Sequence, residues 1–228
     1  MVDERIGYRE LLIGCGRARD KRVEPPNAPC TERARMWHNL TTLDLNPNCG
    51  ADLQCDLNAP PPWFAYPGNT AVQAAIDTEK SHRPWQSDRI AYLLLGDYWD
   101  EIHAYEVLEH LGQLGDAHAF FAQFSELYRL LKPNGYLCAT VPSRFSPWLW
   151  GDPSHRRAIV PESLAFLDQE QYRVQIDRRI AASQPPTNMS DFRDSLGYRA
   201  DFKLVDSHDN RTSFTFILQA VKPSRWIG

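Results

Sequence analysis

The sequence predicts an α/β fold in which a mostly parallel sheet is completed by an antiparallel hairpin at the C-terminus. Short apolar segments alternate with helical or irregular segments up to residue 141, which favours parallel strands joined by crossovers. Residues 202–205 and 213–221 are two further strand-like segments separated by the turn-like Asp209-Asn210, which is typical of a hairpin. A length of 228 residues with 43% hydrophobic residues suits a single domain with one substantial core.

Seven strands are predicted, so the expected fold is a doubly wound, seven-stranded sheet. The first ends in Leu11, Leu12 and Ile13 and meets Gly14-Cys15-Gly16, a pattern typical of a buried strand that runs into a glycine turn. Residues 90–95 are apolar enough to form an extra strand or a buried loop. The predicted strands are 8–13, 40–45, 51–55, 99–105, 136–141, 202–205 and 213–221.

Helices are predicted between these strands. From 117 to 131 apolar residues recur at spacings of 4, 3 and 4, which places them on one helical face, and Lys132-Pro133-Asn134-Gly135 is expected to form the turn that ends this helix. The pattern of the segment 106–111 also favours a helix. A further helix is expected from 161 to about 172, since proline suits a first turn. The remaining segments are expected to be an insertion at 59–98, with a helical stretch at 71–79, and a lid at 143–200.

Composition argues against several classes of protein. The chain has 25 basic and 29 acidic residues, and a net charge of −4 provides no general field to attract nucleic acid. The five cysteines include no C-x-x-C pair, so neither a disulfide framework nor a metal site is expected. The N-terminus lacks the apolar run of a signal peptide, and no stretch reaches the roughly 20 apolar residues that would span a bilayer. A cytoplasmic protein without membrane contact is the expectation, and its oligomeric state is left open.

The residues at the carboxyl ends of the predicted strands are the candidates for ligand binding. Ligands of such sheets bind at these ends, beside the point where the strand order reverses. Gly14 and Gly16 follow the first strand, while Asp44 and Asp56 close the second and third. Two acids at successive strand ends favour binding over simple capping of turns. Asp44 lies 28 residues beyond Gly16, which suits an acid that accepts hydrogen bonds from two ribose hydroxyls.

With these features the chain resembles the class I S-adenosylmethionine-dependent methyltransferases, in the branch whose fourth strand runs into a V-L-E-H-L segment. The resemblance implies a Rossmann-like fold, S-adenosylmethionine as cofactor, and methyl transfer to an acceptor that the sequence leaves unidentified, with a small molecule expected. It spans residues 10–141 and the closing hairpin. The motifs that carry it are Ile13-Gly14-Cys15-Gly16, Asp44, Asp56-Leu57, Glu106-Val107-Leu108-Glu109-His110-Leu111 and Leu131-Lys132-Pro133-Asn134-Gly135.

The resemblance also implies a set of cofactor contacts. The glycine turn would approach the methionine end of the cofactor, Asp44 the ribose, and Asp56 with Leu57 the adenine. His110 is as readily a buried histidine without cofactor contact. The implied cofactor-binding residues are Gly14, Cys15, Gly16, Asp44, Leu45, Asp56, Leu57, Tyr105, Glu106, Val107 and His110.

Two other functions remain open. A nucleotide-dependent oxidoreductase shares the glycine turn and the later acid, but position 19 is Arg, whereas G-x-G-x-x-G needs glycine there. A protein that binds the cofactor without catalysing methyl transfer would keep the same fold, because fold does not decide function.

The acceptor pocket is expected under residues 143–193, because they follow the fifth strand on the same edge of the sheet. His155 is the candidate general base, since an unperturbed pKa of about 6.5 allows proton removal near neutral pH. Trp148 and Trp150 are candidate walls of the pocket, and Arg156 and Arg193 are candidate contacts for an acidic group. The alternative is a structural loop whose tryptophans cover the sheet edge.

Overall fold

The computed structural model describes residues 7–26, 36–59, 96–185, 187 and 189–226. The helical stretch expected at 71–79, the apolar segment 90–95 and most of the 59–98 insertion lie outside the described residues. Seven strands form one sheet. They are β1 Glu10–Ile13, β2 Leu40–Asp44, β3 Leu53–Gln54, β4 Trp99–Tyr105, β5 Leu131–Pro142, β6 Phe202–Asp209 and β7 Ser213–Ala220.

The strand order is β3-β2-β1-β4-β5-β7-β6. The first five strands pair in parallel, whereas β7 runs antiparallel to both β5 and β6. The order reverses between β1 and β4, so the carboxyl ends of these two strands flank the crevice in which doubly wound sheets bind ligands. The predicted fold, with its terminal antiparallel hairpin, is confirmed.

The helix α1, Ala117–Leu130, packs its apolar face on the sheet. Asp116 caps its N-terminus by accepting a hydrogen bond from the N–H of Ala119 at 2.9 Å. The turn expected directly after this helix falls within β5, which begins at Leu131, and Asn134 in it has a left-handed φ of 63°. Leu131 pairs with Trp99, and Tyr136 pairs with Glu101. Residues 132–135 of β5 therefore lie opposite the single residue Asp100, and the pairing between the two strands is locally interrupted by a bulge.

Two helix predictions were wrong. Residues 106–111 contain only a 3₁₀ turn, Leu108–His110, and Gly112 follows with a left-handed φ of 79°. The helix expected at 161–172 is two helices, because the carbonyl of Leu167 accepts the N–H of Phe202 at 2.9 Å instead of a helical N–H. The short helical elements are α2 Trp148–Gly151, α3 Pro161–Ala165, α4 Gln169–Tyr172, a π turn Arg173–Asp177, α5 Arg178–Ala181 and α6 Phe192–Ser195, with a 3₁₀ turn at Pro47–Cys49.

The described core falls into two clusters. The larger contains the apolar face of α1 with Leu11, Ile102 and Leu137, and the smaller contains Leu12 and Tyr105. This division follows from the alternation of side chains along each strand. Within the described ranges, no helix combines the length and the apolar character that crossing a membrane requires.

Candidate functional site

Two glycines with left-handed φ values shape the loop after β1. Gly14 has a φ of 59° and Gly16 a φ of 53°, a region that residues with a Cβ rarely adopt. A Cβ on Gly14 would lie 2.4 Å from Cγ2 of Val107, so the loops after β1 and β4 are in contact. Around a Cβ on Gly16, no atom of the described residues lies within 4 Å. Gly14 therefore serves close packing, while Gly16 borders open space.

Asp44 ends β2 beside this loop. Its Oδ2 accepts the backbone N–H of Gly16 at 2.7 Å, and its Oδ1 accepts that of Asn46 at 2.8 Å. The carboxylate is half-buried and, because each oxygen has two lone pairs, can accept further hydrogen bonds. The following residue, Leu45, is 57% exposed. A polar acceptor thus lies next to an exposed apolar side chain, which suits a ligand with hydroxyl groups and a flat ring.

The other predicted residues on this side differ in exposure. Asp56 is exposed, and its Oδ1 accepts the N–H of Asn58 at 2.9 Å. Leu57 is buried in the larger core cluster. Cys15 is also buried, and burial raises the pKa of its thiol to about 11, so it is a neutral thiol at pH 7.

The three residues at the end of β4 differ in their contacts and exposure. The hydroxyl of Tyr105 accepts the N–H groups of Arg22 and Val23 at 3.1 and 3.2 Å, so this side chain supports the segment that follows the glycine loop. Glu106 is exposed with a left-handed φ of 54°. Val107 is half-buried against Gly14.

A buried ionic network under the glycine loop was not anticipated from the sequence. Glu10 of β1 and Glu101 of β4 are paired in the sheet, and both are fully buried. Nζ of Lys21 lies 2.7 Å from Oε1 of Glu10 and 2.8 Å from Oε2 of Glu101. Nε2 of His103 lies 2.6 Å from the same Oε2, and its Nδ1 lies 2.6 Å from the hydroxyl of Tyr105. The signal was acidic residues inside apolar strands, which require a buried cation.

The network shifts the pKa values of its members. Burial alone would raise the pKa of Glu101, but hydrogen bonds from His103 and Lys21 and the positive charge of Lys21 outweigh it and lower the pKa to about 2. Burial lowers the pKa of His103. Burial also opposes the charged form of Lys21, but the two carboxylates outweigh it and raise its pKa. The network therefore holds Glu101 and Lys21 charged and His103 neutral.

Acid is expected to remove the stability that Glu101 contributes. Because its folded pKa is lowered from 4.5 to about 2, the contribution is present above pH 4.5 and lost as the pH falls towards 2. A shift of this size corresponds to roughly 3 kcal/mol. Urea unfolding at several pH values should show the difference in free energy of unfolding between wild type and Glu101→Gln shrinking in this window. A difference that stays constant with pH would contradict the pKa.

A second cluster lies after β4, where Glu109 and His110 meet His155. Oε1 of Glu109 lies 4.0 Å from Nε2 of His110, and the two imidazole rings have centroids 4.7 Å apart. Glu109 is fully buried. Burial, with a contribution from the neighbouring Glu106 carboxylate, raises the pKa of Glu109 to about 8. The sequence named His110 as a cofactor contact and His155 as a candidate general base, and the fold brings the two rings together.

The predicted acceptor segment lies partly at this edge. A cavity of about 520 Å³ is lined by His110, Ser154 and Arg156, among others. Trp148 and Trp150 lie on α2 and are 67% and 63% exposed. They are therefore not buried against the sheet edge, as the alternative of a structural loop requires.

Arg193 lies in a different environment from Arg156. Its guanidinium donates to both oxygens of Asp177, at 2.7 and 2.6 Å, and to both oxygens of Asp191. Two carboxylates already neutralise this side chain, so a further acidic ligand would have to displace one of them. We therefore keep Arg156, and not Arg193, in the candidate acceptor site.

Comparison with known proteins gives fold-level similarity only. No protein-family model matches the chain, and no curated protein sequence matches it. Solved structures with similar folds include a SAM-dependent methyltransferase from Archaeoglobus fulgidus, with 14% identity, coverage of 94% of this chain and 87% of that one, and a TM-score of 0.43. Another is the 1,6-didemethyltoxoflavin-N1-methyltransferase of Burkholderia thailandensis with bound S-adenosylhomocysteine, with 13% identity, coverage of 95% and 73%, and a TM-score of 0.43.

A third is the 16S rRNA (adenine(1408)-N(1))-methyltransferase of Catenulisporales acidiphilia, with 14% identity, coverage of 96% and 88%, and a TM-score of 0.42. These values are too low to transfer an activity or a substrate, so the assignment of the fold rests on the sheet itself. Five parallel strands reverse their order between β1 and β4, and β7 is inserted antiparallel between β5 and β6. The chain thus has the Rossmann-like fold of the class I S-adenosylmethionine-dependent methyltransferases.

Proposed function

We propose that the chain binds S-adenosylmethionine at the carboxyl ends of β1, β2 and β4 and transfers its methyl group to a small-molecule acceptor. The observation that carries the proposal is the half-buried Asp44, held beside the open backbone of Gly16 and followed by the exposed Leu45. A carboxylate, an uncrowded glycine backbone and an apolar side chain are the groups that ribose, an amino acid moiety and adenine respectively require.

The residues present fit this cofactor. Asp44 would accept the ribose hydroxyls, Leu45 would pack on the adenine, and Asp56 would accept from its amino group. Gly14, Cys15 and Gly16 would provide the backbone around the methionine moiety, with Glu106, Val107 and His110 on the facing side. Tyr105 would support the segment that follows the glycine loop. The cofactor supplies a methyl group on a sulfonium, which is already electrophilic. The remaining task of the protein is alignment, which is catalysis by proximity and orientation.

The proposed acceptor site is the cavity beside His110 and Arg156. Arg156 would contact an acidic group of the acceptor, with Trp148 and Trp150 on the neighbouring helix as apolar walls. His155 stays the candidate general base for acceptors that carry a proton on the reacting atom. Its Nδ1 bonds to the carbonyl of Leu149 at 3.1 Å, so Nε2 is the nitrogen that could take a proton.

Replacing Asp44 with Ala is expected to weaken S-adenosylmethionine binding more than tenfold. A hydrogen bond to a charged group contributes about 1.5–3 kcal/mol, and the variant also loses the bond that holds Gly16. Calorimetric titration measures the dissociation constant. Asp206→Ala, at an exposed acid on the far-edge strand β6, is the matched control. Equal affinities for Asp44→Ala and wild type would refute the cofactor site.

Two further measurements separate the alternatives. Thermal stabilisation by NAD(H), with none by S-adenosylmethionine, would favour an oxidoreductase over a methyltransferase. If the cofactor binds, incubation with methyl-labelled S-adenosylmethionine and fractionated metabolite, RNA and protein extracts should yield S-adenosylhomocysteine and a labelled product. Binding without product from any fraction would instead favour a protein that binds the cofactor without catalysis.

A further inference from the structure

We propose that Glu109, His110 and His155 together bind one first-row divalent transition-metal ion. One ligand atom of each side chain lies within 4.8 Å of those of the other two. Ligands around a tetrahedral Zn²⁺ lie about 3.4 Å apart, so small side-chain rotations would bring these three to ligand distances. Two imidazoles and one carboxylate form a donor set suited to Zn²⁺, Co²⁺ or Fe²⁺ rather than to Mg²⁺ or Ca²⁺, which prefer oxygen.

The carboxylate of Glu109 provides the strongest indication. The residue is fully buried, and neither of its oxygens has a hydrogen-bond partner among the described residues. An unpaired buried carboxylate is costly, and proteins retain one where a cation or ligand compensates it. Arg157 is close in space, since its backbone N–H donates to the carbonyl of Glu109 at 3.2 Å, but the Nε of its guanidinium donates to the carbonyl of Leu111 at 3.0 Å.

Both histidines are oriented to present a free nitrogen. Nδ1 of His155 bonds to the carbonyl of Leu149, so it must carry the proton and leave the lone pair on Nε2. The hydroxyl of Ser154 donates to Oδ1 of Asp152 at 2.6 Å, so it accepts from Nδ1 of His110 at 3.1 Å. Nε2 of His110 is therefore also an acceptor. Metal-binding histidines characteristically have their second nitrogen fixed in this way by a carbonyl or a carboxylate-linked group.

Among the described residues, hydrogen bonds do not account for the two imidazole Nε2 atoms. Nε2 of His110 is 4.0 Å from Glu109, and Nε2 of His155 is 3.9 Å from Oδ2 of Asp152. Both separations exceed hydrogen-bond length. Asp152 is partly exposed and borders His155, but it is not among the three side chains whose ligand atoms lie within 4.8 Å of one another. A cation would satisfy all these acceptors at once.

The cluster adjoins the cavity that His110 and Ser154 line. Three protein ligands leave at least one coordination position for water or an oxygen of a bound molecule. Metal binding does not depend on the proposed methyl transfer and can be tested without an acceptor. With a metal on its Nε2, His155 would be a ligand, so the general-base role would pass to another group or to metal-bound water.

Titration of the chelator-treated full chain with Co²⁺ tests the proposal. We expect one equivalent to bind, with visible absorption bands of cobalt in a low-symmetry nitrogen and oxygen environment. Glu109→Gln and His155→Ala are each expected to weaken Co²⁺ binding at least about 100-fold, since each removes a direct ligand. His208→Ala, at an exposed histidine on β6, is the matched control and should bind as wild type does.

Ser154→Ala, a substitution at an exposed residue, tests the proposal even if Glu109→Gln and His155→Ala prevent folding. Ser154→Ala removes the hydroxyl that orients His110 and should weaken Co²⁺ binding about tenfold, while thermal unfolding without metal stays unchanged. Excess Mg²⁺ should not compete. Absence of stoichiometric binding, or equal affinity in wild type, Glu109→Gln and Ser154→Ala, would overturn the proposal and identify the signal as adventitious surface binding.

Discussion

Replacing Lys21 with Met is expected to lower the free energy of unfolding by about 3–5 kcal/mol. The substitution leaves Glu10 and Glu101 buried on neighbouring strands without their shared cation, which now lies 2.7 and 2.8 Å from them. Breaking one partner of a buried ionic group has a large effect because the remaining charges have lost their hydration. Urea unfolding at pH 7 measures the loss, and Lys203→Met, at an exposed lysine of β6, is the matched control.

A second substitution distinguishes lost charge pairing from lost packing. Adding Glu101→Gln to Lys21→Met removes one of the two uncompensated charges, so the double variant should be more stable than Lys21→Met alone. The difference should grow as the pH rises above 4.5, because Glu101 then ionises in the unfolded chain, whereas burial without Lys21 opposes its ionisation in folded Lys21→Met. A loss below about 1 kcal/mol in Lys21→Met, or no recovery in the double variant, would refute the role given to the network.

Gly14→Ala is expected mainly to destabilise the protein, whereas Gly16→Ala is expected mainly to weaken cofactor binding. At Gly14 the added methyl would lie 2.4 Å from Cγ2 of Val107, so overpacking of about 1–3 kcal/mol adds to left-handed strain of about 1–2 kcal/mol. At Gly16 the strain alone applies, because the described residues leave the methyl position open. Gly14→Ala should therefore be the less stable protein, and Gly16→Ala should lose more cofactor affinity for a given loss of stability.

Thermal unfolding and calorimetric titration of both variants give the two quantities. Val107→Ala removes Cγ2 and Cγ1, which would lie 2.4 and 3.3 Å from the new methyl, and leaves Cβ at 2.8 Å, so it should recover part of the stability that Gly14→Ala loses. Since the left-handed φ is common to both glycines, the difference between the variants isolates the close approach to Val107. Equal stability of Gly14→Ala and Gly16→Ala would show that the loops after β1 and β4 do not pack as described.

The order of the elements was predictable because it depends on local patterns. β4 matched its predicted bounds, because Trp99–Tyr105 leads directly into the helix-like segment 106–111. The hairpin of β6 and β7 was expected from two apolar segments around a turn, although β6 extends to Asp209, four residues beyond its prediction. The extension is mostly exposed, so hydrophobic pattern could not indicate it.

The candidate site was predictable only in part. Glycines and acids at strand ends could be named, because the carboxyl ends of parallel strands must share one edge. The side chains that surround these residues in the folded protein could not be predicted. The two carboxylates around Arg193 come from separate helical segments, and their positions depend on how residues 161–196 pack.

The sequence by itself determined the fold class, the order of strands and helices, and the positions of glycines and acids at the ligand-binding edge, because each follows from short-range periodicity and turn chemistry. Only the tertiary structure decided which charged groups meet. Lys21 reaches Glu101 across 80 residues of chain, and His155 reaches His110 across 45. Such contacts depend on strand register and loop path, which the hydrophobic pattern does not specify. Apolar burial is non-directional, whereas ionic and ligand contacts require specific geometry.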